Sequence, residues 1–113
     1  MVEQVRPHIR EVSLEEARQR LARNPQALLV DVREDKEWAD GHAVKAIHLG
    51  RGILERDIEK TVPDSSTELI LYCGGGYRSA LAAEVAQRMG YNNVFSLAGG
   101  YKAMQTAGWP MCK

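Results

Sequence analysis

The sequence predicts an α/β fold, in which helices cover both faces of a mostly parallel central sheet of about five strands. One observation leads to this fold class, and a second gives the number of domains. Short apolar segments alternate along the chain with segments whose apolar residues have helical spacing. The 113 residues contain no internal repeat and no long linker, so we expect one domain over residues 1–113.

The first half of the chain is expected to alternate strands and helices. Ser13 and Glu16 form an S-x-x-E capping box in front of a helix, which should stop at Asn24-Pro25. Apolar runs and a helix-ending glycine define the other elements. They are an edge strand at 8–12, a buried strand at 27–32, a short helix at 34–39 capped by Gly41, and a short strand at 46–49.

The second half repeats this alternation. The predicted elements are a helix at 53–60, a strand at 68–72, a helix at 79–89 ended by Gly90, a strand at 93–97, and a last short helix between Gly99-Gly100 and Gly108. Ligands of parallel sheets bind beyond the carboxyl ends of the strands. Residues 31–33, 73–79 and 97–100 are therefore the places to look for a site.

The charge balance and the hydropathy pattern exclude some classes of partner. Fifteen basic residues balance fifteen acidic ones, so bulk charge favours neither nucleic acid nor an anionic membrane as partner. No apolar run approaches the ~20 residues of a membrane span. The polar N-terminal segment lacks the apolar core of a signal peptide, and the two cysteines lack metal-type spacing, which together predict a cytoplasmic protein.

One segment, LILYCGGGYRS, carries most of the functional information. A strand delivers Cys73 to the carboxyl edge of the sheet, three glycines let the backbone turn tightly, and a helix begins at Arg78 or Ser79. Backbone N–H groups would then surround the sulfur, favouring a thiolate and the terminal sulfur of a persulfide. The helix dipole stabilises a thiolate at this position by at most about 2 kcal/mol. Further stabilisation of the thiolate would have to come from the N–H groups of the loop and from Arg78. The candidate nucleophile is Cys73, and the candidate substrate-binding residues are Gly74, Gly75, Gly76, Tyr77, Arg78 and Ser79.

Two other interpretations of this loop carry less weight. A buried structural cysteine beside a glycine turn is the plain alternative, but the added arginine and helix start favour a reactive thiol. A nucleotide-binding loop fits poorly, because the segment lacks G-K-[ST] and has no third spaced glycine at position 79.

Three groups of residues follow the order and spacing of one family's signatures. They are Asp31-Val32-Arg33 with Glu37-Trp38 and Gly41-His42; the loop from Cys73 to Arg78; and Leu97-Ala98-Gly99-Gly100 with Gly108-Trp109-Pro110. The chain thus resembles the rhodanese family from about Ser13 to Pro110. It departs from the family pattern at Ala43, at Val44-Lys45 and at Met104, all outside the cysteine loop, so the departures concern packing and rim shape.

The resemblance implies a rhodanese-like fold and the activity of a thiosulfate sulfurtransferase. Cys73 would take a sulfane sulfur from thiosulfate or a similar anionic donor and pass it to a thiol or cyanide, with a protein thiol as a further option for the acceptor. No metal or organic cofactor is implied. The resemblance also gives Asp31, Arg33 and Glu37 the part of framing the pocket, while their charges suggest structural pairing and not catalysis.

Competing functions are distinguished by the spacing of one arginine. Cysteine phosphatases and arsenate reductases need C-x5-R, whereas here Ser79 occupies that position and Arg78 comes one residue earlier. The shorter loop favours a sulfur atom over a tetrahedral oxyanion. A non-catalytic sulfur-carrier or regulatory module of the same fold is the third option, although such modules usually lack the cysteine. A mercaptopyruvate-type donor fits the end of the loop less well.

The remaining candidate residues are expected to be structural. Trp38, His42 and Trp109 are interpreted as packing or loop residues. Cys112, next to the C-terminus, is expected to be a mobile free thiol, and nothing in the sequence places it near Cys73.

Overall fold

The computed structural model describes residues 10–74 and 77–112, except for the side chains of residues 51–53, 55, 77 and 78. Helices and strands alternate along this part of the chain. In order, they are β1 (Arg10–Val12), α1 (Leu14–Arg23), β2 (Leu28–Asp31), α2 (Asp35–Asp40), β3 (His42–Ala43), β4 (Ile47–His48), α3 (Arg51–Thr61), β5 (Leu69–Tyr72), α4 (Tyr77–Arg88), β6 (Val94–Leu97), α5 (Gly100–Thr106) and β7 (Met111–Cys112).

The central sheet confirms the predicted fold class. Within the described ranges, five strands pair in the order β1-β6-β5-β2-β4, and every pairing is parallel. The prediction of a mostly parallel sheet was therefore slightly too cautious. All four residues of β5 and of β6 are buried, as expected for strands inside a parallel sheet covered on both faces.

Alternating side chains of the sheet build a core on each face. Leu69 and Leu71 of β5 pack beneath α3 and α4, together with Ile58 and Ala83. Ile70 and Tyr72 point the other way and pack with residues of α1 and α5, such as Ala17 and Met104. The two-residue period of a strand thus explains why helices are needed on both sides.

The first helix begins and ends where the sequence predicts. The Ser13 hydroxyl accepts a hydrogen bond from the Glu16 N–H at 3.1 Å, which satisfies one free donor of the first turn. The Glu16 carboxylate bonds to Arg20 one turn later. Asn24 ends the helix in an extended conformation before Pro25.

Several element boundaries differ from the predictions by one or two residues. The helix α4 begins at Tyr77, ahead of the expected Arg78 or Ser79, and α3 begins at Arg51 instead of residue 53. The first strand is described from Arg10, since residues 8 and 9 of the predicted strand lie outside the described part of the chain. Helix ends fray, so the first and last residues of a helix are defined only to within one or two positions.

A small antiparallel pair, β3 with β7, was not expected from the sequence. Cys112, which the sequence predicts to be a mobile free thiol, lies in β7 opposite His42. Its thiol is exposed and free of any disulfide. Two-residue strands leave no readable alternation in a sequence, so this pairing depends on contacts that only the folded chain makes.

No helix in residues 10–74 or 77–112 combines the length and the apolar character that crossing a membrane requires.

Candidate active site

Cys73 lies immediately after β5, at the carboxyl edge of the central sheet. The neighbouring strands β2 and β6 end beside it, at Asp31 and Leu97. The residue is 1% exposed and belongs to the core cluster beneath α3 and α4. The sheet therefore holds the thiol at the edge where parallel sheets bind ligands.

Two buried hydroxyl groups extend from the thiol. Cys73 Sγ lies 3.7 Å from Ser79 Oγ, within hydrogen-bond distance for sulfur. Ser79 Oγ lies in turn 2.8 Å from Ser96 Oγ in the middle of β6. The sequence points to Ser79 as a site residue but not to Ser96. The available signal was a single polar residue inside the strand VFSL, whose four residues are all buried.

The amino end of α5 holds the backbone that follows the thiol. The N–H of Tyr101 donates to the carbonyl of Cys73 at 2.6 Å, and the N–H of Lys102 donates to the carbonyl of Gly74 at 3.2 Å. In a trans peptide unit the N–H points opposite to the carbonyl, so the N–H of Gly74 is directed away from α5.

Gly100 makes this contact possible. Its φ of +56° lies in the left-handed region, and a Cβ there would overlap the carbonyl oxygen of Cys73. The Gly99-Gly100 pair therefore serves the cysteine loop directly, as well as starting α5.

The structure brings together only part of the predicted substrate-binding loop. Cys73, Gly74 and Ser79 are described, and the backbone of Tyr77 and Arg78 forms the first turn of α4. Gly75 and Gly76 lie outside the described residues, as do the side chains of Tyr77 and Arg78. Their predicted parts in binding remain predictions.

Asp31 and Arg33 form a buried ion pair near the end of β2. Arg33 Nη2 lies 2.7 Å from Asp31 Oδ2, and the Arg33 main-chain N–H donates to Asp31 Oδ1 at 2.8 Å. The guanidinium also stacks on the Tyr101 ring, 3.9 Å from its centre, and donates to the Gly41 carbonyl. Burial alone would lower the pKa of Arg33, but the hydrogen bond and charge of Asp31 outweigh it and raise that pKa.

Glu37 caps the helix α2. Its Oε1 accepts a hydrogen bond from the Glu34 N–H at 3.0 Å, which completes a capping box. Glu37 and Arg33 also line a cavity of about 230 Å³, whose other lining residues are Asp40, Gly41, Tyr101 and Gln105. Cys73 is not among these lining residues. Tyr101 connects the cavity with the thiol, since its ring stacks on Arg33 and its N–H holds the Cys73 carbonyl.

Comparison with known proteins decides the family. Residues 13–107 match the family model of the rhodanese-like domain, which is most of the chain. The chain belongs to the rhodanese-like family. The resemblance inferred from the sequence motifs is thereby confirmed.

Solved structures of other rhodanese-like proteins share this fold. The human single-domain sulfurtransferase TSTD1 is 28% identical, with a TM-score of 0.74 over 85% of this chain and 95% of that one. A rhodanese from E. coli, solved with anions, is 30% identical, with a TM-score of 0.68 over 77% of this chain and 98% of that one. A Rhodopseudomonas palustris protein of unknown function, described as a possible tyrosine phosphatase, is 28% identical with a TM-score of 0.81, over 98% of this chain and 90% of that one.

Residues of the first rhodanese-like signature, Trp38 and His42, pack against each other and against His48. Trp38 stacks on His42, four residues later, with 3.5 Å between the ring centres, and His48 lies on the same indole at 4.9 Å. His42 Nδ1 also lies 2.9 Å from the Trp38 carbonyl, and His48 Nε2 lies 2.9 Å from the Arg33 carbonyl. These contacts fix the segment that carries Arg33.

Proposed function

We propose that the protein is a sulfurtransferase that moves a sulfane sulfur through a persulfide on Cys73. The observation that carries this proposal is the position of a buried thiol between the carboxyl end of β5 and the first turn of α4, with a hydroxyl 3.7 Å away. The amino end of a helix and a neighbouring hydroxyl both favour a negative sulfur. Solved relatives that are described as rhodanese and sulfurtransferase support it further.

The proposed reaction has two displacements at sulfur. The Cys73 thiolate attacks the outer sulfur of thiosulfate, the S–S bond of the donor breaks, and sulfite leaves with the electron pair. A thiol or cyanide then attacks the terminal sulfur of the persulfide and releases the Cys73 thiolate. A stabilised thiolate leaves more readily, so the same surroundings help the second step. This chemistry needs neither a metal nor an organic cofactor.

The proposal assigns donor binding to the loop between Cys73 and α4. Backbone N–H groups of Gly74, Gly75, Gly76 and Tyr77, together with the Arg78 guanidinium, would bind the anionic donor. Ser79 is proposed to contact the reacting sulfur. Asp31, Arg33 and Glu37 would frame the site at a distance, through the contacts of Tyr101 with Arg33 and with Cys73.

From the state of its cysteines, we propose that this is a single-domain protein of the cytoplasm. Cys73 and Cys112 are both free of disulfides, although Cys112 is exposed. Free thiols persist in a reducing compartment. A small thiol or a protein thiol there would serve as the acceptor.

A phosphatase activity is the second candidate, since one structural neighbour is described as a possible tyrosine phosphatase. Against it stands the spacing of the loop, in which Arg78 follows Cys73 by five positions and Ser79 takes the place where phosphatases carry arginine. The shorter loop suits a single sulfur atom better than a phosphoryl group.

An assay with both substrate classes tests the proposal. The wild-type protein should form thiocyanate from thiosulfate and cyanide and should hydrolyse aryl phosphates negligibly. Cys73→Ser should abolish thiocyanate formation, because a serine hydroxyl does not ionise near neutral pH and forms no persulfide. Cys112→Ser is the matched control and should keep nearly full activity. Hydrolysis of aryl phosphates without any sulfur transfer would overturn the proposal in favour of the phosphatase.

A further inference from the structure

Ser96 is a polar side chain in the most buried part of the sheet. It is 0% exposed and lies between Phe95 and Leu97 in β6. A buried hydroxyl without a partner is costly, so a serine in this place needs a hydrogen bond. Ser96 has one at 2.8 Å, to the hydroxyl of Ser79.

Ser79 connects this hydroxyl with the candidate nucleophile. Ser79 lies in the first turn of α4, is 0% exposed, and has its Oγ 3.7 Å from Cys73 Sγ. The chain Cys73–Ser79–Ser96 therefore joins β5, α4 and β6. Because all three residues are at most 1% exposed, bulk water does not compete for these bonds.

The direction of the hydrogen bonds depends on the charge of the sulfur. A neutral thiol can donate its proton to Ser79, whose own proton then points to Ser96. A thiolate only accepts, so the Ser79 hydroxyl can donate to it by turning its proton toward the sulfur. The Ser79 oxygen is then best satisfied by accepting the proton of Ser96. The order of donors thus reverses when Cys73 ionises.

We propose that Ser96 is a positioning residue that stabilises the Cys73 thiolate by acting through Ser79. Ser96 does not touch the sulfur; it supplies the donor that leaves the Ser79 proton available for it. Bonds in such a chain polarise one another, so the distal hydroxyl strengthens the proximal contact. This inference rests on the proposed function in one respect, namely that the reactive form of Cys73 is the thiolate.

The charged side chains described on the neighbouring elements do not take over the stabilisation of the thiolate from these two hydroxyl groups. Asp31 and Arg33 pair with each other and lie with Tyr72 on the opposite face of the sheet from Cys73. Lys102 of α5 is exposed and contacts the loop through its main-chain N–H. Arg78, on α4, is common to every variant compared below.

Alkylation of Cys73 by iodoacetamide tests the proposal without any sulfur donor. All variants carry Cys112→Ser, so that Cys73 is the only cysteine that can be alkylated. The measured quantity is the alkylation rate at about pH 7 divided by the rate at about pH 9.5, where most ordinary thiols are ionised. This ratio reports the thiolate fraction, and it corrects for differences in how easily the reagent reaches the buried sulfur.

The variants are chosen to separate the hydroxyl from the shape of the side chain. Ser79→Ala should lower the ratio by about tenfold, and Ser96→Val by about threefold, as expected for losing a direct and an indirect hydrogen bond to a charged group. Ser96→Thr, which has the shape of Val but keeps the hydroxyl, should stay near the wild-type ratio. The Thr–Val comparison holds the side-chain volume constant, so a packing effect common to both variants cancels.

A distant variant controls for lost stability. Tyr91 donates a buried hydrogen bond to the Val62 carbonyl at the end of α3, away from the thiol, so Tyr91→Phe should weaken the fold and leave the ratio unchanged. Equal ratios for Ser96→Val and Ser96→Thr, or an equal fall in Tyr91→Phe, would overturn the proposal. A wild-type protein that accepts no sulfur from thiosulfate would overturn the proposed function alone, because the alkylation ratio does not depend on sulfur transfer.

Discussion

Arg78 is the only arginine or lysine between Cys73 and Ser79, in a segment otherwise made of glycine and tyrosine. We expect Arg78→Ala to raise the KM for thiosulfate, because the guanidinium would bind the anionic end of the donor. A hydrogen bond to a charged group is worth roughly 1.5–3 kcal/mol, which is about 10- to 150-fold in kcat/KM. Arg78→Lys should recover part of the loss, since it restores the charge without the planar fork. Steady-state kinetics with thiosulfate and cyanide measures both variants.

Salt provides a control for the same residue. Higher ionic strength should weaken the use of thiosulfate by the wild-type protein more than by Arg78→Ala, because only the wild-type protein keeps this charge. If Arg78→Ala has wild-type kinetics at every salt concentration, then backbone donors alone bind the anion.

At the scale of residues, the sequence predicts local chemistry and misses contacts across the fold. The sequence points to Cys73, Gly74 and Ser79 as candidates because they lie within seven consecutive positions. Ser96 was not found, although its hydroxyl is only 2.8 Å from Ser79, because the two residues are 17 positions apart in the chain. No spacing rule relates a helix start to the middle of the next strand.

At the scale of elements, the contact between α5 and the cysteine loop governs the site. We expect Gly100→Ala to lower kcat/KM for sulfur transfer by at least about tenfold, because its Cβ would displace the Cys73 carbonyl and with it the Gly74 N–H. The left-handed φ adds a cost of about 1–2 kcal/mol in stability. Urea unfolding and steady-state kinetics measure the two effects separately.

Gly108 provides a matched control for Gly100. Its φ of +76° is also left-handed, but a Cβ there would meet nothing within 4 Å. Gly108→Ala should therefore lose similar stability and keep its activity. Equal activities in the two alanine variants would show that the contact of α5 with the loop does not matter for catalysis.

Longer helices and strands can be predicted from the sequence, whereas very short strands cannot. The Ser13 cap of α1 and the apolar runs of β2, β5 and β6 can be recognised in the sequence, and all are present, although Glu16 bonds to Arg20 and does not complete the predicted capping box. The pair β3–β7 is two residues long on each side, and its partners His42 and Cys112 are far apart in the chain. Such pairing is decided by the docking of whole elements and leaves no local periodicity.

At the scale of the whole molecule, a buried polar network ties the sheet to its surroundings. Tyr72 accepts a hydrogen bond from the Ala43 N–H at 3.1 Å, lies near the Asp31 carboxylate, and stacks on Tyr101. Burial, with the nearby charge of Asp31, raises the pKa of Tyr72 well above its ordinary value. The folded protein therefore holds the phenol neutral at a pH where the unfolded chain ionises.

This network predicts a loss of stability at alkaline pH. The folded state keeps the Tyr72 proton while the unfolded state releases it above about pH 10, so the free energy of unfolding should fall as the pH rises further. Tyr72→Phe should be less stable than the wild-type protein by about 1–3 kcal/mol near neutral pH, because the Ala43 N–H loses its acceptor. The difference should shrink above about pH 10. Urea unfolding across this range measures it, and a constant difference would contradict the argument.

The architecture of the whole molecule does not by itself select the chemistry. The same fold carries a human sulfurtransferase, an E. coli rhodanese and a possible tyrosine phosphatase. Function must be decided at the site, where Cys73 lies between the end of β5 and the first turn of α4.

The most direct test is the intact mass of the protein after treatment with thiosulfate and removal of the donor. We expect a single sulfur atom to be added, and peptide mapping should locate it on Cys73. Cyanide should remove this sulfur in exchange for an equal amount of thiocyanate. The adduct should form in Cys112→Ser and not in Cys73→Ser. A mass that does not change, or an added sulfur that persists in Cys73→Ser, would contradict the account.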